Sequence, residues 1–268
     1  MLRTTLRTGL LAAAATISLG ATASAATLVG LTADNHLVRI DAESRRAMPA
    51  VRVSGTEGRL VGIDVRPSDG KLYGLTDAGQ IVTIDAMTGR AMPVSRLGEA
   101  FDSGGRATVD FNPVADRLRV MGMNGANLRV NVETGASTKD GMLKYAAGGK
   151  LAETTPRVVA GAYTNSMAGA KETMLFTVDT LSRMLNLQAP PNDGVQQPKG
   201  EISASLPAGV AFDILSDGPG GANGGGNSAW LLAGGSLHKV DLMSGKAMPG
   251  AMVTGLPQAE VIDIAGMK

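Results

Sequence analysis

Short apolar runs recur along the chain, and each is bounded by Gly, Pro, Asn or Asp. Residues 60–65 form one such run, a turn follows at residues 67–70, and a second run occupies residues 72–75. Residues 210–214 and 229–232 form a further pair of the same kind. Short apolar runs separated by turn residues are typical of β-strands joined in hairpins. The pattern therefore predicts an all-β protein.

A longer phrase repeats at a regular interval. It consists of an apolar strand that ends in Asp, a short turn, and a basic residue followed by Ala-Met-Pro. The three clear copies occupy residues 38–49, 82–93 and 238–249, and two weaker copies occupy residues 128–135 and 176–183. The Asp or Asn that ends each strand is residue 41, 85, 131, 179 or 241, which gives steps of 44, 46, 48 and 62 residues. Four-stranded propeller blades take about 40–50 residues each. The longest step contains a Gly/Asn-rich loop, residues 217–228, which accounts for its length.

The two ends of the repeated region complement each other. Residues 28–31 match the second strand of a unit and have no first strand before them, whereas residues 261–264 match the first strand, residues 62–65. A strand from the C-terminus that completes the first unit closes a ring and removes exposed sheet edges. We therefore predict a five-bladed β-propeller closed by pairing of the C-terminal strand with the N-terminal blade. The alternative is a β-sandwich or an open β-solenoid, because a repeat period alone does not fix topology.

The N-terminal residues have the features of a secretory signal peptide. Arg3 and Arg7 precede a short apolar stretch, and Ala-Ser-Ala ends at residue 25. We predict cleavage after Ala25, a single propeller domain over residues 26–268, and a periplasmic or secreted location. The alternative is an uncleaved membrane anchor, but the apolar stretch is shorter than the ~20 residues that span a bilayer.

Composition limits the classes of partner. The sequence has no Cys, which excludes disulfides. Removal of residues 1–25 leaves 23 basic and 24 acidic residues, a formal net charge of −1. A nearly neutral domain gives no electrostatic reason to expect nucleic-acid binding, and no later segment predicts membrane insertion after signal cleavage.

Several segments resemble a known bacterial family. They are GIDVRPSDGKLYGLTDAGQIVTIDAMTGRA (residues 62–91), VDFNPVADRLRVMGMNGANLRVNVETGASTKDGMLKY (residues 109–145), GAYTN (residues 161–165) and LQAPPNDG (residues 187–194). The family is the domain-of-unknown-function family 4394. The resemblance implies an exported, propeller-like protein and supplies no chemistry. The fourth unit departs from the pattern, since its turn signals are weaker, and we expect it to be reduced.

Acidic residues recur at one position of the predicted innermost strands. These residues are Asp64, Asp110, Asp213 and Asp263, whereas the fourth unit has Tyr163 there; Asn112 and Asn165 follow two residues later in units three and four. Innermost strands line the axis of a propeller, so these oxygens are candidate ligands for a hard cation such as Ca²⁺. The structural alternative is that each Asp accepts hydrogen bonds from backbone N–H groups.

Two classes of function follow from this set. The first is a non-catalytic exported binding or scaffold protein, whose partner is an unknown small molecule or protein. The second is a Ca²⁺-dependent hydrolase, similar to a lactonase, that uses the axial Asp and Asn residues. A third hypothesis is docking of an envelope partner through the loop at residues 217–228. The recurring methionines, Met48, Met92 and Met248, are expected to fill the core between blades.

Overall fold

The computed structural model describes residues 26–202, 206–207, 209–216 and 226–267. The predicted signal peptide lies outside the described residues, as does the part of the Gly/Asn-rich loop at residues 217–225. The described chain is almost entirely β-structure, with one short 3₁₀ helix at Pro191–Asp193. None of the helical structure in these residues has the length and hydrophobicity needed to cross a bilayer.

The strands form five mainly antiparallel sheets, which are the blades of a propeller. Blade one contains β1 (Thr27–Thr32), β2 (His36–Asp41), β3 (Arg46–Ala47), β4 (Val51–Arg52) and β22 (Val261–Met267). Blade two contains β5 (Leu60–Val65), β6 (Leu72–Thr76), β7 (Gln80–Ile84) and β8 (Ala91–Arg96). Blade three contains β9 (Ala107–Asn112), β10 (Arg117–Gly122), β11 (Asn127–Val130) and β12 (Ser137–Lys139). Blade four contains β13 (Lys144–Tyr145), β14 (Val158–Tyr163), β15 (Leu175–Asp179), β16 (Met184–Gln188) and β17 (Val195–Glu201). Blade five contains β18 (Val210–Ser216), β19 (Asn227–Ala233), β20 (Ser236–Val240) and β21 (Ala251–Met252).

The C-terminal strand closes the ring, as the sequence predicts. β22 pairs antiparallel with β1, from Thr27 opposite Met267 to Leu31 opposite Asp263. The innermost strands are β22, β5, β9, β14 and β18, and each contacts the next around the axis. Since the first blade takes its inner strand from the end of the chain, the two ends of the described domain belong to one sheet.

Five apolar clusters hold the blades together, one between each neighbouring pair. Between blades two and three, the rings of Tyr73 and Phe111 meet edge to face, with centroids 5.3 Å apart. Close approach of the inner strands depends on Gly62, where a Cβ atom would lie 2.6 Å from Val109. Inner strands buried on both faces leave little room for polar side chains, which makes the axial acids exceptional.

Blade four differs from the sequence prediction in two ways. It is not reduced, because β13 pairs in parallel with β17 and gives the blade five strands. The fourth copy of the repeated phrase is also placed one strand too early: Asp179 ends β15, the second strand from the axis, rather than the third. The reason is local chemistry, since the carboxylate of Asp179 caps its turn by accepting the N–H groups of Leu181 and Ser182.

The recurring methionines do not fill the core. Met48, Met92 and Met248 are 49%, 63% and 56% exposed, so the expectation of core packing is wrong. In the second and fifth copies of the phrase the preceding alanines, Ala91 and Ala247, are buried instead. In blade two, alternation along β8 turns Ala91 inward and Met92 outward.

Candidate functional site

The four predicted acids lie on the innermost strands and join neighbouring blades. Oδ2 of Asp263 accepts the N–H of Ile63 at 2.9 Å. Oδ2 of Asp64 accepts the N–H of Phe111 at 2.7 Å. In the same way, the carboxyl group of Asp110 accepts the N–H of Tyr163 at 2.8 Å, and that of Asp213 accepts the N–H of Gly266 at 2.5 Å. Each carboxyl group therefore links its own blade to the next, as the structural alternative for these residues requires.

Three of these side chains also converge at the axis. Asp64, Asp110 and Asp213 each offer a carboxyl oxygen within 4.8 Å of the others. Among the described residues this is the only such group of three, and Asp263 is not part of it. Three carboxyl groups this close cannot all be ionised in a water-poor site, so they share protons or a cation.

Burial raises the pKa of every member of the axial set. The pKa values of Asp64 and Asp110 are well above the usual value, first because of burial and then because of the neighbouring carboxyl groups. Burial raises the pKa of Asp213 to about 6, against two backbone N–H bonds that lower it. Burial raises the pKa of Asp263 to about 8. The axis therefore holds protonated carboxyl groups at mildly acidic pH.

The two asparagines use their side chains away from this group of three. Oδ1 of Asn112 accepts the N–H groups of Val114 and Ala115 and so caps the turn after β9. Asn165, with φ of 57°, forms a reciprocal pair with Asn227: its N–H donates to Oδ1 of Asn227 at 2.7 Å, and its Oδ1 accepts from Nδ2 at 2.9 Å. This pair links blade four to blade five. Blade four has no axial Asp that could make such a link.

An axial cavity of about 210 Å³ opens beside the acids. Its lining includes Asp64 and Asp213, the ends of β18 and β22, and residues 166–168. The cavity also contains Arg66, but that guanidinium is neutralised by Asp116, with contacts of 2.8 and 2.5 Å, and by Glu133 at 3.1 Å. No ion pair among the described residues engages Asp64 or Asp213, so the uncompensated groups of this cavity are acidic.

Arg106 is a neighbour of the axial acids that the sequence did not reveal. It precedes β9, and its guanidinium donates to the carbonyls of Val210 (2.8 Å) and Ile262, at the other end of the inner strands. Its charge lowers the pKa of Asp263, although burial raises that pKa more. No repeat marks Arg106, since the equivalent residue of unit two is the apolar Leu60.

The comparisons with known proteins give a family and a fold. The family described as a domain of unknown function (DUF4394) matches residues 36–265. A protein of unknown function from Bacteroides thetaiotaomicron is similar to this chain, with 15% identity, a TM-score of 0.51, and coverage of 92% of this chain and 62% of that one. A second protein of unknown function, from Bacteroides caccae, is 11% identical with a TM-score of 0.43, over 88% of this chain and 76% of that one. This chain thus spans less than two thirds of the Bacteroides thetaiotaomicron protein. No curated protein matches the sequence.

Proposed function

The chain belongs to the domain-of-unknown-function family DUF4394, and from that premise we propose that the protein is a non-catalytic binding protein that takes a small cationic ligand in its axial cavity. Family membership supplies no chemistry, so the proposal depends on one observation. Two buried carboxyl groups without an ion-pair partner among the described residues line an open cavity, while the one arginine there is already neutralised. A cation is the ligand that such a cavity lacks.

The size of the cavity limits the ligand. A volume of about 210 Å³ is below the roughly 300–1,000 Å³ of pockets that take drug-sized ligands. Apolar side chains of Met167, Leu215 and Met267 share the lining with the acids. A small organic ammonium ion, with a charged head and a short apolar body, fits both the volume and the lining.

Binding should depend on pH and on Asp213. We expect butylammonium to bind more tightly at pH 8 than at pH 5, since Asp213 has a pKa of about 6 and must lose its proton to pair with the cation. Asp213→Asn should weaken binding about tenfold, the effect of losing ~1.4 kcal/mol. Isothermal titration calorimetry in two buffers of different ionisation enthalpy measures both the affinity and the proton released.

Two further variants separate binding from folding. Asp102→Asn alters an exposed carboxylate that does not line the cavity and should leave the affinity unchanged. Ala168→Phe places a ring at the exposed mouth without touching a carboxyl group and should abolish binding while the melting temperature stays the same. Equal affinity in wild type, Asp213→Asn and Ala168→Phe would contradict the proposal.

The second candidate is a Ca²⁺-dependent hydrolase. The observation that favours it is the convergence of Asp64, Asp110 and Asp213 within 4.8 Å. A bound Ca²⁺ would replace the shared protons and act as a Lewis acid on a substrate oxygen. However, both carboxyl oxygens of Asp64 and of Asp213 already accept backbone N–H bonds, which weakens them as ligands.

A calcium titration tests this candidate. If the cation binds at the axis, millimolar Ca²⁺ should raise the melting temperature by several degrees, because a ligand selective for the folded state stabilises it by mass action. The rise should be smaller at pH 5, where protons compete, and should disappear in Asp110→Asn. A melting temperature that does not move at any pH would reject the candidate.

A further inference from the structure

A second cavity lies outside the axis, between blades one and two. This groove has a volume of about 860 Å³. Blade one contributes Thr27 and Arg39, whereas blade two contributes Lys71, Arg90 and the segment from Thr83 to Met87. The groove adjoins the axial cavity, since Gly70 and Met267 line both.

The charge of the groove is positive and uncompensated. No ion pair among the described residues involves Arg39, Lys71 or Arg90. The lining contains one carboxylate, Asp85, and Oδ1 of that group accepts the N–H groups of Met87 (2.8 Å) and Thr88 (3.1 Å) of its own turn. Three cationic side chains around one cavity attract anions into it.

The walls of the groove are apolar as well as cationic. Met87 and Met92 are 60% and 63% exposed, and Leu72 and Ile84 lie buried beneath them. Methionine side chains are flexible and polarisable, so they adapt to apolar bodies of different shape. The exposed methionines of blade two do not pack in the core, and in this arrangement they form an apolar wall of the groove.

The corresponding groove between blades five and one is different. There Lys239, the repeat equivalent of Arg39, lies 5.0 Å from the centroid of the Trp230 ring, and Glu43 also lines the cavity. The Trp230 ring attracts Lys239 there, whereas no cation–π contact among the described residues involves Arg39. The repeat therefore does not by itself create the positive groove.

We propose that the groove between blades one and two binds a small amphipathic anion, with a carboxylate or sulfonate held by Arg39, Lys71 and Arg90 and an apolar body held by Met87 and Met92. The site is distinct in charge from the axial cavity, and it does not depend on the function proposed above. Guanidinium and ammonium groups supply charge-assisted hydrogen bonds to such a headgroup.

The probe for the test is 8-anilinonaphthalene-1-sulfonate, an amphipathic sulfonate that fluoresces when its rings leave water. The folded wild-type protein should bind it saturably, and the dissociation constant should rise at least tenfold in the double variant Lys71→Glu, Arg90→Glu. A matched control, Lys150→Glu with Lys246→Glu, makes the same change of net charge; Lys246 is the exposed repeat equivalent of Arg90 and does not line the groove. The control should bind within twofold of wild type.

Three outcomes would overturn the proposal. The first is that both double variants weaken binding of the sulfonate equally, and the second is that the folded protein does not bind the sulfonate saturably. The third concerns Nile red, a neutral dye: the wild type binds it as tightly as it binds the sulfonate, and the Lys71→Glu, Arg90→Glu variant binds it as tightly as the wild type does. Ala168→Phe separates the two cavities, because obstruction of the axial cavity should leave binding of the sulfonate intact. Thermal melts of all variants confirm that fluorescence reports the folded state.

Discussion

A chain that ends at Glu260 is expected to lose its cooperative unfolding transition and to aggregate. The deletion removes β22, which supplies the inner strand of blade one and buries Val261, Ile264 and Ala265. It leaves an unpaired edge on β1 and exposes two interblade clusters. The loss of buried Val261 and Ile264 alone, at about 1.5–3 kcal/mol each, is a large part of the roughly 5–15 kcal/mol that stabilises a typical domain.

Addition of the missing strand as a separate peptide provides the control. A peptide of residues 259–267 added to the truncated chain should restore a sigmoidal thermal transition, whereas the same peptide with Ile264→Asp should not, because Ile264 is 2% exposed. Circular dichroism and light scattering follow the two effects. A truncated chain that melts cooperatively at the wild-type temperature would show that the ring does not depend on its last strand.

The second large effect concerns pH. The protein is expected to be more stable at pH 5 than at pH 8.5, with a melting temperature about 10 °C higher. The folded-state pKa values of Asp213 and Asp263, about 6 and about 8, exceed the usual value of 3.8, so the folded protein keeps protons that the unfolded chain has lost. Their contribution is fully present below pH 3.8 and is lost as the pH rises through 6 and 8. Each retained proton is worth about 1.4 kcal/mol per pH unit, and 1 kcal/mol shifts the midpoint of a domain this size by about 2–4 °C.

The opposite trend should appear only in strong acid. Asp41, Asp85 and Asp241 have lowered pKa values because their carboxylates accept N–H bonds in turns, and that stability is lost as the pH falls through those pKa values. Asp263→Asn should flatten the profile between pH 6 and 8.5, whereas Asp102→Asn should not change it. Stability that rises steadily from pH 5 to 8.5 would contradict the buried, protonated state of the axis.

The sequence predicted the ring and the position of its axial acids because both depend on a repeated local pattern. Residues 62–65 and 261–264 share one alternation of apolar side chains around an Asp, and each segment became an inner strand. The pattern could not show that Asp263 stays outside the group of three at the axis. That outcome depends on the lateral offsets of five inner strands, which no single repeat encodes.

Other errors have identifiable physical causes. Asp179 matched the repeated phrase because an Asp that caps a turn gives the same sequence pattern after any strand of a blade. The methionines of Ala-Met-Pro were predicted to lie in the core because methionine is apolar. On a short outer strand such as β8, however, strand pairing sets the direction of a side chain, and Met92 is exposed. Arg106 could not be predicted, since its partners Val210 and Ile262 are far away in sequence. The positive groove could not be predicted either, because the repeat does not show which side chains of two neighbouring blades line one cavity.

The pairing of Thr27 with Met267 also orders the steps by which the chain acquires its structure. Blades two, three and five are built from consecutive hairpins of low contact order, and every strand of blades two to five precedes β22 in the chain. Blade one is complete only when β22 pairs with β1, so the first sheet to begin is the last to be finished. This late, long-range step should set the overall rate at which the protein matures, and an open, aggregation-prone intermediate precedes it.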